Sequence, residues 1–141
     1  MVSQNTYSYP RPGLYNVGSY QAAGRAWMTG STDIDDGEED EIRFPRVTKS
    51  ITVISRSSVD LRVHFASTAT GVGHVVNGYH YITLTESRDA MTMNVRCDRL
   101  YISNASGADD GAYEVFAELT NISSGEMHEL TGSGITTLDG T

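Results

Sequence analysis

Short runs in which apolar and polar residues strictly alternate, separated by polar, Gly-containing breaks, most narrow the folds open to this 141-residue chain. A period of two sends successive side chains to opposite faces of an extended strand, so each run reads as a strand with one buried and one wet face. Val59, Leu61, Val63 and Phe65 alternate with Asp60, Arg62 and His64. Tyr113, Val115, Ala117 and Leu119 do the same against Glu114 and Glu118, and Met91, Met93, Val95 and Cys97 against Thr92, Asn94 and Arg96. Leu100 and Ile102 extend the pattern past a break at Asp98, while Ile51 with Val53, and Tyr79 to Leu84, supply further strands. Ile42 and Phe44 alternate with Glu41 and Arg43, and Pro45, which has no N–H for a ladder, marks that run as an edge strand.

Roughly eight short strands without a long helical pattern between them predict an all-β fold, an antiparallel β-sandwich of jelly-roll type. An immunoglobulin-type sandwich is the second choice, but its Cys-Trp-Cys signature is absent. One short helix is expected near the C-terminus, at about 124–131: Ser123 and Glu126 have capping-box spacing, Met127 and Leu130 give an apolar side, and Gly132 suits a terminator. The chain divides into an extended N-terminal arm (1–20), a sandwich domain (21–135) and a small, polar C-terminal tail (136–141). The arm carries Tyr7, Tyr9, Tyr15 and Tyr20. Disordered tails are poor in aromatics, so this stretch is expected to dock, on its own sandwich or on a neighbouring subunit.

The formal charge is -8, yet it comes from one place. Seven carboxylates fall within residues 33–41 (Asp33, Asp35, Asp36, Glu38, Glu39, Asp40, Glu41), leaving the remainder close to balance. This stretch reads as a solvated or partner-facing loop. The cations are nine Arg and a single Lys, Lys49, a bias that suits planar, partly buried contacts at a subunit interface. Net charge and sign argue against nucleic-acid binding. Met1 leads into polar residues without a basic start or an apolar run, so neither an own secretion signal nor a membrane span is expected.

The residues that could carry chemistry do not assemble into a known motif. Asp33-Ile34-Asp35-Asp36-Gly37 has the oxygens of a calcium loop, but Gly stands fifth and not sixth. His128-Glu129 begins like a zinc-protease helix, but Gly132 occupies the place of the second His. No metal and no cofactor is expected. Cys97 falls on a core face, where a thiol is inert. Glu114 and Glu118 share a strand face about 13 Å apart, beyond the roughly 5–9.5 Å of glycosidase carboxylate pairs. Gly71-Val72-Gly73 reads as a turn. Trp27, Tyr79, Tyr81 and Tyr101 form a sugar-stacking platform only if they converge on one exposed face. Asn104-Ala105-Ser106 and Asn121-Ile122-Ser123 match the glycosylation acceptor pattern by chance on this reading. The chain is therefore not expected to be an enzyme.

The ordered segments Asn16-Val17-Gly18-Ser19-Tyr20, Phe44-Pro45-Arg46-Val47-Thr48-Lys49-Ser50, His80-Tyr81-Ile82-Thr83-Leu84, Leu100-Tyr101-Ile102-Ser103 and Ala117-Glu118-Leu119-Thr120-Asn121-Ile122 resemble those of small virion structural proteins of tailed bacteriophages, marine and cyanophage types above all. The resemblance runs over residues 14–135 and transfers no functional residue. It implies a capsid decoration or cement protein, located in the virion after assembly in the host cytoplasm. Its expected partners are the major capsid protein or another virion protein, and further copies of itself as a homo-oligomer. Residues Tyr7, Tyr9, Tyr15 and Tyr20, and Asp35, Asp36, Glu38 and Glu39 of the acidic stretch, are the candidate partner-binding side chains. A carbohydrate-binding or fibre- and tail-associated adhesion module is the alternative, and a hydrolase with an unrecognised carboxylate site a third class.

Overall fold

The computed structural model describes residues 13–15, 17–21, 24–67, 79–107, 109–127 and 130. Eight strands follow one another: β1 (Arg25–Ile34), β2 (Glu39–Arg43), β3 (Arg46–Ser55), β4 (Leu61–His64), β5 (Ile82–Leu84), β6 (Ala90–Met93), β7 (Arg99–Asn104) and β8 (Gly111–Ser123). They form two four-stranded antiparallel sheets, ordered β1-β8-β3-β6 and β2-β7-β4-β5. The pairs β1·β8, β2·β7, β3·β6 and β4·β5 are nested: the chain runs out to β4, turns, and returns alongside itself, its rungs falling alternately in one sheet and the other.

Alternation decides which residues meet between the sheets. Ile51, Val53, Val115 and Ala117 from the first sheet, and Leu61, Val63, Leu84, Leu100 and Ile102 from the second, form one core with Ile34, Ile42 and Phe44. Each such aliphatic side chain contributes about 1.5–3 kcal/mol on leaving water, so this face accounts for the pairing of the sheets. Within this core Tyr113 of β8 donates its hydroxyl to Asp40 Oδ2 of β2, at 2.7 Å, and joins the two sheets. That bond and burial together raise the Tyr113 phenol well above its usual range.

The strands expected at Val59–Phe65, Ile51–Val53, Leu100–Ile102 and Tyr113–Leu119 are all present, and the run before Pro45 is β2, an edge strand. The Met91–Cys97 run stops at Met93. Thr48 takes over from the ladder there, donating to the Val95 carbonyl (2.7 Å) and accepting from the Cys97 N–H (3.1 Å). Cys97 is fully buried, and burial pushes its thiol up to about 11, in keeping with an inert core residue.

Three details differ from expectation. The acidic stretch is not one loop: Asp33 lies within β1, just before its end at Ile34, Glu39 to Glu41 begin β2, and only residues 35–38 form the turn between sheets. Near the C-terminus the described residues show a single 3-10 turn, Ser124–Glu126, where Ser123 makes no side-chain capping bond; 128–129 and 131–141 lie outside the described residues. A four-residue helical turn, α1 (Gly18–Gln21), instead occurs within the segment expected to be extended.

Candidate functional site

The antiparallel registers bring the β1–β2, β3–β4, β5–β6 and β7–β8 connections to one end of the sheets. The chain entering β1, the β2–β3 and β6–β7 connections and the end of β8 gather at the other. The balance of charge differs along the same axis, although Arg56 and Arg88 stand at the first, acidic end and Glu118 and Glu126 at the other, cationic one. At the first end Asp33, Asp35, Asp36 and Glu38 meet Asp109 and Asp110 from the β7–β8 connection. The neighbouring Asp35 charge, with lesser contributions from Asp33 and Asp109, raises the Asp110 carboxyl above its ordinary value. Asn104 holds this crowd of like charges in place. Its buried side-chain amide donates to the carbonyls of Ile34 (2.9 Å) and Asp109 (2.7 Å), and its oxygen accepts from the Ser106 N–H (3.0 Å). Its backbone pairs with Gly37 and Glu38. Gly37 takes the left-handed conformation the turn requires, at φ +81°. Asp36 Oδ1 accepts from the Gly107 N–H at 2.7 Å. Asn104, the first residue of an acceptor pattern, is thus buried and fully engaged.

The opposite end carries Arg25, Arg46, Lys49 and Arg96, besides Arg43 and Arg99, which pair with Glu41 and Asp98 at 2.8 and 3.4 Å. Here the chain before β1 docks on its own sheets. Leu14 packs with Val47 and Ile122 in a second small core that Tyr20 and Met127 flank. Tyr20 donates to the Leu14 carbonyl (2.9 Å), as does Arg96 (2.7 Å), whose guanidinium also lies 5.4 Å over the Tyr15 ring. Tyr20 is therefore held within the subunit, while Tyr15 is 80% exposed. Tyr7 and Tyr9 lie outside the described residues. A shallow recess of about 250 Å³ beside this dock is lined by Tyr20, Lys49, Asn94, Val95 and Arg96. Of the eight side chains singled out in the sequence, Asp35, Asp36, Glu38 and Glu39 share the acidic end, Tyr15 and Tyr20 stand at the cationic one, and the two groups do not meet. Within the acid group, Glu39 turns aside: its Oε2 accepts from Ser67 at 2.8 Å.

A third cluster lies on the face of the second sheet turned away from the shared core. Alternation assigns His64 of β4 to the wet side with Arg62, yet it is 1% exposed, and Tyr101 stacks parallel to it, with ring centroids 5.9 Å apart. His64 Nδ1 lies 2.8 Å from the Ala66 carbonyl, which only accepts, so this nitrogen carries the proton. Nε2 then accepts from the Ser103 hydroxyl at 2.9 Å. Glu39 Oε1 approaches this same Nε2, at 3.6 Å, and not Nδ1, so the Ser-His-carboxylate relay of hydrolases is not formed here. Burial lowers the His64 pKa below 6.5, outweighing its bond to Ala66 and the Glu39 charge; Arg62 adds to the lowering. A base whose folded pKa lies below its unfolded one binds more protons when unfolded. Its contribution to stability is thus full above about pH 6.5 and is lost as pH falls toward the folded value. Denaturant midpoints measured from pH 7.5 to 5 should fall in wild type and fall less in His64→Gln; parallel curves would exclude His64 as the source.

The aromatic residues considered for sugar stacking do not converge as a set of four. Trp27 is half-buried, edge-on to Phe44 at 5.2 Å, and Tyr101 is covered by His64. Tyr79 and Tyr81 do meet, at 6.3 Å. Glu114 and Glu118 both lie on the outer face of the first sheet, and Ser50 donates to Glu118 at 2.7 Å. Sequence reasoning missed Asn104 and the Ser103–His64 pair. Asn104 had a signal: it continues the inward Leu100, Ile102 register as a polar residue, which in a core must be bonded. His64 had none, because its cover comes from chain folding back at Ala66 and Ser67. Among the described residues, no group of three or more His, Cys, Asp or Glu is placed to hold a metal ion, and no helix is long and apolar enough to cross a membrane. No protein-family model, curated protein or solved structure matches the chain.

Proposed function

We propose that this protein is a non-enzymatic structural component of a virion, a decoration or cement subunit that binds a capsid lattice and further copies of itself. The observation that carries this reading is the crowding of carboxylates at one end of the strands and the excess of cations at the other. The acidic end, with Asp35 and Glu38 exposed, complements the recess at the other end that Lys49 and Arg96 line. Two complementary ends on one rigid body favour head-to-tail contacts, which generate rings or lattices, and steer association electrostatically. The outer face of the first sheet adds an adhesive surface: Met28, 72% exposed, stands in register with the exposed Phe116, beside Thr52 and Thr92.

The fold is read as a jelly-roll sandwich, supported by the nested pairing and the orders β1-β8-β3-β6 and β2-β7-β4-β5. That architecture serves capsid proteins and lectins alike, and so supports the assignment by analogy alone.

Asp35→Asn/Glu38→Gln is the variant of choice, because Asp36 and Glu39 also bond within the subunit. Sedimentation at low salt should show wild type as oligomers and on purified capsids, with the double variant shifted toward free monomer. At about 0.1 M salt, where the screening length falls to ~10 Å, the two should converge. A wild-type protein that stays monomeric and off the particle at low salt would remove the proposal.

A further inference from the structure

We propose that the outer edge of β1 pairs antiparallel with β1 of a second copy, about a two-fold axis at Thr29, merging two β1-β8-β3-β6 sheets into one. This interface is separate from the charged ends and does not rest on the virion reading. β1 has β8 on one side only, so along its other side alternate N–H and C=O groups point outward, a template for another strand. Among the described residues no backbone bond from outside the ladder reaches it.

The edge strands of the two sheets are not equivalent. β5 has three residues and β6 four, short enough to offer a copy little to pair with. β2 carries Glu39, Asp40 and Glu41 in succession and stops before Pro45, and charge and Pro are common means of blunting an edge. β1 has ten residues, and from Ala26 to Thr32 it contains neither charge nor Pro. A β-bulge interrupts it only at its far end, between Ser31 and Ile34.

The register follows from charge. Arg25 and Asp33 lie symmetrically about Thr29, so in an antiparallel pair centred there Arg25 of each copy faces Asp33 of the other. Both are exposed, and among the described residues neither has an ion pair: Arg25 donates to Asn121, and Asp33 accepts from Ser31. Between them Met28, 72% exposed, falls opposite Gly30, which offers no side chain to obstruct it. Gly30 is fixed in that role, because a Cβ there would lie 2.7 Å from the Tyr113 carbonyl oxygen of β8. A centre at Met28 instead leaves Arg25 opposite Ser31. One strand edge buries less than the ~1,200 Å² of a standard interface, so the pair is weak, with a Kd of roughly 0.1–1 mM, and forms where copies are concentrated.

The test is sedimentation and amide hydrogen exchange of the full chain at about 10 µM and about 1 mM, which bracket that Kd. Salt of about 0.15 M screens attraction between distant ends. The concentrated sample should contain dimer, and every second amide of β1 should exchange about two- to fivefold more slowly than in the dilute one. Arg25→Glu or Asp33→Arg alone should weaken dimerisation about tenfold, and the double reversal should restore it. Thr29→Cys should give a disulfide-linked dimer on mild oxidation, because each copy meets itself there. Ser31→Cys, about 13 Å from its own copy in this register, should not. A chain still monomeric at about 1 mM, protection on β5 or β6 in place of β1, no rescue by the double reversal, or faster oxidation of Ser31→Cys than of Thr29→Cys would overturn the proposal. Asp35→Asn/Glu38→Gln should dimerise through β1 like wild type, so failure here and failure of the end-to-end contacts are told apart.

Discussion

Asn104→Asp is expected to lower the free energy of unfolding by at least about 3 kcal/mol, although the change replaces one NH₂ by an oxygen and alters no volume. Asn104 is 2% exposed, and its amide group is the donor to two carbonyls, those of Ile34 and Asp109. A carboxylate has no proton to give. Both carbonyls become unsatisfied, and a charge is placed against them beside an end already crowded by Asp33, Asp35 and Asp110. Asn104→Ala orphans the same groups without adding charge, so it should cost less than Asn104→Asp. The defect of the Asp variant should shrink in acid, where the protonated carboxyl regains one donor. Chemical denaturation at pH 7 and pH 4, each variant referred to wild type at the same pH, reads all three comparisons. An Asn104→Asp protein within 1 kcal/mol of wild type at pH 7 would show that the turn is held by other means. Because Asn104 joins the β1–β2 turn to the β7–β8 connection, its loss should also open residues 33–41 to proteolysis before the sheets unfold.

The second large effect is in the core, where Leu61→Ala should cost about 2–5 kcal/mol. Leu61 is fully buried and stands opposite Leu84 and Asn104 in the second sheet. It also fills the space that Gly111 leaves. A Cβ at Gly111 would come within 2.8 Å of Val59 Cγ2, 2.9 Å of Leu61 Cδ2 and 3.3 Å of Ile34 Cγ2. Gly111→Ala alone therefore overpacks the first position of β8, by about 1–3 kcal/mol. The two changes act on one volume with opposite sign. The double variant should be less destabilised than the sum of the singles, by about 0.5–3 kcal/mol. Strict additivity in a thermal or urea cycle would mean that Val59, and not Leu61, is what resists a side chain at Gly111.

Both predictions rest on residues that read differently in the sequence. Leu61 was legible: it stands in the middle of a clean alternation, and such a pattern has one physical solution, a strand with that face buried. The same holds for Val63, Val115, Ala117, Leu100 and Ile102, and for Pro45 marking β2 as an edge. β1 was not legible. Its inward residues after Trp27 are Thr29 and Ser31, which give no apolar period, and its place comes from pairing with β8. The acidic stretch was legible as a concentration of charge but not as the end of one strand and the start of another. That division depends on Asn104, 70 residues distant from Ile34, reaching back to hold the turn.

The alternation of side chains along single strands thus determined by itself that the chain is all-β, which faces are buried, and that Cys97 is a core thiol, because these depend only on a local period and the cost of wetting apolar surface. The tertiary structure alone decided which strands pair, that carboxylates from the β1–β2 and β7–β8 connections crowd one end, that His64 is buried on a face its neighbours mark as wet, and that Arg62 lies over the Tyr81 ring. These depend on contacts between residues far apart in the chain. A pattern of period two carries no information about which distant strand will lie beside it.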